Sequence, residues 1–142
     1  MLPQAPKPIA NFVPCVQVGA LLHVSGQITT WNGELRCPGQ VDRDVSVEEA
    51  REGARICALN LLAHVKAFLG DLDRVERVVQ VQGFVNAVPG FTQQPAVING
   101  ASDLFVEVFG EAGRHARFAV GVASLPAGAS VEVAAVLSVQ PD

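Results

Sequence analysis

The sequence predicts an α+β domain in which two helices lie on one face of a mixed sheet. Three observations carry this. Valine-rich runs with a period of two recur near both ends and in the middle of the chain. Between them stand two stretches with helical spacing and recognisable start and stop signals. Apolar residues make up 49% of the 142 residues and charged residues 17%, enough to build one sizeable core in a single domain spanning 1–142.

In chain order, residues 1–10 hold three prolines and read as an extended arm. Val13 to Ser25 reads as two short strands broken at Gly19-Ala20, the second running Leu21-Leu-His-Val-Ser25. Gly26 and Gln27 follow, then a strand Ile28-Thr-Thr-Trp31 that ends at Asn32-Gly33. Asn-Gly between extended runs marks a hairpin, so Glu34-Leu-Arg36 returns as a ribbon and Cys37-Pro-Gly-Gln40 is loop. Ser46-Val-Glu-Glu49 is a capping box that opens a helix to about Leu69, with Gly70 as its C-cap. Ala50, Ala54, Cys57, Leu61, Val65 and Phe68 form its apolar stripe, which makes Cys57 a core residue and leaves His64 on the surface. Asp71 to Arg74 connects to a strand from Val75 to Val85, with Val79, Val81, Gly83 and Val85 on one side. Pro95 opens a second helix that runs through Phe109 to Gly110, with Ala96, Ile98, Asn99, Leu104, Phe105 and Val108 on its apolar positions. Two apolar, strand-like runs, within Gly113 to Pro126 and Ser130 to Val139, complete the order.

The helices cover one sheet face only. The other face also carries valines and few charges, and with no third helix available self-association is its natural cover.

Composition excludes several classes. A net charge of −4 argues against a nucleic-acid partner, because phosphate contacts need clustered Lys and Arg. The one dense basic cluster is Arg114, His115 and Arg117. Cys15, Cys37 and Cys57 lack the spacing of a zinc site or disulfide framework, so neither a bound metal nor a disulfide is expected. The first residues lack the apolar core of a signal peptide and no run reaches the length of a membrane span, which points to a cytoplasmic protein with reduced thiols.

Two charges stand inside apolar strand-like runs, Arg117 and Glu132. Such charges are costly to bury unless paired or bound to something. On a plain hairpin turning at Ala127-Gly128, Glu132 would sit about six residues from Arg117, or roughly 20 Å at about 3.3 Å per residue. The two could then share no ligand, so either these strands are not neighbours or the charges meet across a subunit boundary.

Several of these features, in order, resemble the RidA/YjgF family: Ser25-Gly-Gln27, Gly83-Phe-Val-Asn86, His115-Ala-Arg-Phe118, Leu125-Pro126 and Val131-Glu-Val133. The resemblance runs from about Ile9 to Val139. Asn99-Gly-Ala-Ser-Asp-Leu104 and Gly113-Arg-His-Ala-Arg117 are similar to a subgroup often labelled endoribonuclease L-PSP-like. The resemblance implies a chorismate-mutase-like fold, a homotrimer with ligand clefts between subunits, and hydrolysis of reactive 2-imino acids to 2-keto acids and ammonia without a cofactor. It implies Arg117 as the grip on a small-molecule carboxylate and Glu132 as the residue that positions the attacking water. It also implies that Asn99 lines the cleft and that the Ala119 backbone carbonyl helps to hold the water. Phe12 stands where the family has a cleft tyrosine, and Ala119 where it commonly has a cysteine; this chain contains no tyrosine. The resulting site is more apolar and suits a larger or more hydrophobic acid. Two other readings accompany this one: a non-catalytic binder or sensor of small carboxylates, which needs Arg117 but not Glu132, and an endoribonuclease using His115 beside Arg114.

Overall fold

The computed structural model describes residues 2–141, so Met1, the first residue of the expected arm, and Asp142 lie outside it. The elements are β1 (Cys15–Val18), β2 (Leu21–Gln27), β3 (Thr30–Trp31), β4 (Glu34–Leu35), α1 (Val47–Leu69), β5 (Val75–Asn86), α2 (Gln94–Phe109), β6 (Ala116–Val122) and β7 (Val131–Val139). Asn32 and Gly33 both have positive φ, 50° and 88°, and close the β3–β4 hairpin as their sequence predicts. Ile28 stays outside β3, and this hairpin forms its own two-stranded sheet.

The main sheet has the order β1-β2-β7-β5-β6. β5 and β6 run parallel, joined by α2 as a crossover, whereas β7 is antiparallel to both β2 and β5. The last two strands are therefore not a hairpin: β5 separates them. Both helices pack on one face, α1 over β7 and β2, α2 over β5 and against α1. Beneath them lie Leu22, Val24, Val81, Val85, Val131, Val133, Ala135 and Leu137, which with Leu61, Val65, Ile98 and Phe105 build a closely packed core.

α1 begins as expected. Ser46 Oγ accepts from the Glu49 amide, and Glu49 Oε1 accepts from the Ser46 amide, each at 3.1 Å. Its buried arc is wider than the stripe, taking in Asn60 and His64, while Phe68 lies outside it and is 48% exposed. α2 is rotated relative to its expected face. Val97, Ile98, Ala101, Leu104 and Phe105 are buried; Ala96 is half-buried and Val108 exposed. The cause is double packing, with Ile98 pressed onto the bare backbone of Gly83 and Gly100 onto the Arg51 carbonyl of α1. In β5 the register slips between Val78 and Gln80. This bulge turns Val78 inward and leaves Val79 38% exposed, off the side it was expected to share with Val81.

The opposite sheet face is apolar and open in the single chain. Val16, Val18, Leu21, Phe118 and Val120 are exposed on it, and Phe84 meets Phe118 edge-on at 5.6 Å.

Candidate functional site

Glu132 stands at the start of β7, paired with Phe84 of β5. Phe84 is an odd number of residues from Val81, which faces the helices, so Glu132 projects from the open face. Its side chain lies across Gly26. A bulge in β2 between Val24 and Gln27 brings that glycine under the carboxylate, where a Cβ would collide with Glu132 Oε2 and come within 3.2 Å of Cγ. The absent side chain of Gly26 therefore makes room for the acid.

Glu132 looks into a cavity of about 390 Å³ whose walls come largely from the N-terminal arm: Pro6, Pro8, Ile9, Ala10 and Phe12, opposite Ile28, Thr30, His64 and Pro126. These walls are mostly apolar. Burial among them raises the Glu132 carboxyl above its ordinary range, because desolvation penalises the charged form. His64, expected on the surface, is only 7% exposed. It lines the cavity together with Pro6 of the arm, and burial lowers its pKa. One turn earlier in α1, buried Asn60 donates to the carbonyls of Ile28 and Thr30, the latter at 2.6 Å. A single helix thus anchors the loop after β2 through Asn60 and borders the arm through His64, both beside the acid.

Arg117 lies elsewhere. It is in register with Val81, so it points to the helix face, and it donates through Nη1 to Ser102 Oγ at 3.0 Å and through Nη2 to the Pro95 carbonyl at 3.2 Å. Pro95, Asn99 and Ser102 are spaced four and three along α2, which places Asn99 on the same side of the helix as the two Arg117 partners. Ala119 follows on β6 beside Gly83, half-buried against the core. Ser102 Oγ also bonds His115 Nε2 at 2.8 Å. His115, in the loop before β6, has its half-buried ring bound to α2 by this contact.

The expected residues therefore fall into two groups. Glu132 and Phe12 share the arm-lined cavity, while Arg117, Asn99 and Ala119 belong to the α2–β6 side. Within one chain Arg117 and Glu132 project from opposite faces of the sheet, two strands apart across it (roughly 10 Å) and offset along it by three residues (roughly 10 Å). Sequence reasoning missed two participants. His64 was discoverable from its spacing of four to Asn60 beside the apolar stripe. Ser102 lies within the Asn99–Leu104 stretch that carries the resemblance but shows no role there, because an interior helical serine is ordinary without knowledge of what crosses it.

Among the described residues no three or more His, Cys, Asp and Glu side chains gather into a group that could hold a metal ion. No helix among them is long and apolar enough to cross a membrane.

Residues 1–136 match the family described as "YjgF/chorismate mutase-like, putative endoribonuclease". Protein TCP17 of Trypanosoma cruzi is 51% identical over 137 residues, covering 96% of this chain and 86% of that one. A 2-iminobutanoate/2-iminopropanoate deaminase of Dermatophagoides farinae is 30% identical over 138 residues, covering 97% of this chain and 93% of its own. Among solved structures, a protein of unknown function from Agrobacterium tumefaciens superposes with a TM-score of 0.90 at 52% identity, covering 92% of this chain and 83% of that one.

Proposed function

The chain belongs to the YjgF/chorismate mutase-like family, and from that membership we propose that it hydrolyses a reactive 2-imino or enamine acid to a 2-keto acid and ammonia. The observation that carries the reading is Glu132: a lone carboxylate, half-buried in an apolar cavity, with its pKa raised by that burial. Such a group can take a proton from water at near-neutral pH, where a solvated carboxylate is too weak a base. The water oxygen adds to C2 of the iminium, giving a carbinolamine. Return of the proton to nitrogen breaks the C2–N bond and releases ammonia, while the carbinolamine hydroxyl gives its proton to the freed Glu132 carboxylate, leaving the keto group. The Ala119 carbonyl helps to hold the water and Asn99 lines the cleft.

Arg117 grips the substrate carboxylate. All its hydrogen-bond partners are neutral, so its charge is free for a two-pronged bond to an anion. Because it and Glu132 project from opposite sheet faces of one chain, a substrate touching both needs two copies. We therefore assign the working form to a homotrimer whose open, apolar sheet faces turn inward and whose clefts join Glu132 of one copy to Arg117 of another. Phe12 on the Glu132 side favours acids with larger apolar side chains. The protein acts in the cytoplasm, where its three thiols stay unpaired.

The test is to generate 2-imino acids of graded side-chain size in situ and follow their loss against semicarbazide trapping. Turnover is expected for at least one of them, abolished by both Glu132→Ala and Arg117→Ala. No acceleration for any of them, with keto-acid binding lost only in Arg117→Ala, would replace the enzyme by a carboxylate sensor. The solution mass independently checks for three chains.

A further inference from the structure

Arg117 is the visible end of a hydrogen-bonded chain. Its Nη1 donates to Ser102 Oγ. Ser102 Oγ lies 2.8 Å from His115 Nε2, and His115 Nδ1 lies 2.6 Å from the Gly113 carbonyl. The proton positions follow by elimination. A carbonyl can only accept, so Nδ1 carries the hydrogen. The half-buried ring resists a second proton, so Nε2 is the bare acceptor. The serine hydroxyl must then donate to Nε2 while its oxygen accepts from Arg117. Each bond in the row then has one donor and one acceptor, and reversing any of them would leave two donors or two acceptors face to face.

The imidazole is fixed from a second direction. Its ring meets Phe105 edge to face, with centroids 5.9 Å apart and planes at 89°, and Phe105 is fully buried in the core. Rigidity therefore passes from the core through His115 and Ser102 to the guanidinium, while Pro95 O holds the other nitrogen. No member of the row is negatively charged. An acidic partner would fix an arginine equally well but would cancel its charge and compete with an anionic ligand.

We propose that Ser102 and His115 are positioning residues that hold the Arg117 guanidinium in one plane, charge uncompensated, for a carboxylate ligand. The proposal rests on the reading of Arg117 as the carboxylate grip. Arginine is rich in rotamers, and freezing them beforehand removes an entropic cost that binding would otherwise bear.

The experiment uses the full chain and 2-oxobutanoate as a stable carboxylate probe, with affinity measured by NMR titration and imine turnover in parallel. Ser102→Ala is expected to weaken the probe about tenfold, the effect of losing one hydrogen bond to a charged group. It should raise KM by a similar factor with kcat held within about twofold. Ser102→Thr, which keeps the hydroxyl, should recover most of the affinity, and His115→Phe should behave like Ser102→Ala. In protein labelled with ¹⁵N-histidine, saturation with the probe should shift His115 Nε2 in the wild type but not in Ser102→Ala. Wild-type affinity in both Ser102→Ala and His115→Phe, with binding lost in Arg117→Ala, would overturn the positioning role and leave the grip intact. Unchanged binding in Arg117→Ala would overturn the grip and the positioning role together.

Discussion

Gly26→Ala separates activity from stability at one atom. The added Cβ would collide with Glu132 Oε2 and lie 3.0 Å from Cδ and 3.2 Å from Cγ. No backbone atom stands among those neighbours, so relief comes from rotating the glutamate rather than from moving the sheet. Gly26 does not have positive φ, so alanine is not strained there. Reducing the freedom of the unfolded chain contributes about 0.4–1 kcal/mol of stability, which offsets an off-rotamer cost for Glu132 of about 0.5–1.5 kcal/mol. The net change in stability is therefore about 1 kcal/mol or less. The carboxylate, however, must move by an ångström or more, and a displacement of about 1 Å at a reacting group costs on the order of a hundredfold in rate. The assay pairs thermal melting with imine turnover. Near-wild-type melting with kcat/KM down about a hundredfold is expected, and the same substitution in a Glu132→Gln background should do nothing further. Full turnover in Gly26→Ala would refute the view that this contact sets the acid in place.

Other consequences follow from groups that burial perturbs. The Glu132 carboxyl is raised above 4.5, so the folded chain holds a proton that the unfolded chain releases, and Glu132 weakens the fold increasingly as pH rises from 4.5 through its folded value. Glu132→Gln should therefore melt higher than wild type near neutrality and converge with it at acid pH; an unchanged difference across that range would contradict the shift. Asn60 is fully buried and bridges two loop carbonyls, so Asn60→Leu, which leaves both acceptors unpaired, should cost about 2–4 kcal/mol in denaturant unfolding.

The local signals in the chain translated directly into structure. Asn32-Gly33 closes its hairpin, Ser46 and Glu49 make their reciprocal cap, and Pro95 opens α2 one residue from where it was expected. These features depend on a few adjacent residues. Errors arose where a second surface acts from far away in sequence. The arm buries His64, the pressure of Gly83 and Arg51 turns α2 away from Ala96 and Val108, and a bulge moves Val79. The site shows the same division. Arg117 and Glu132 were conspicuous because a charge in an apolar run is anomalous on its own. Their placement on opposite faces, and the part played by Ser102, depend on β5 lying between β6 and β7, which no local pattern encodes.

That interposition has a consequence for how the chain reaches its fold. The strand latest in sequence, β7, occupies the middle of the sheet, with β1 and β2 on one side and β5 and β6 on the other. The earlier strands form two separate ribbons that have no edge in common until residues 131–139 enter between them. Every pairing that unites the sheet joins distant parts of the chain, such as Leu22 with Leu137. Closure across such separations slows folding and leaves strand edges exposed meanwhile. During synthesis the ribbons therefore wait, open-edged, for the segment that also delivers Glu132, so the sheet cannot close without bringing in its acid.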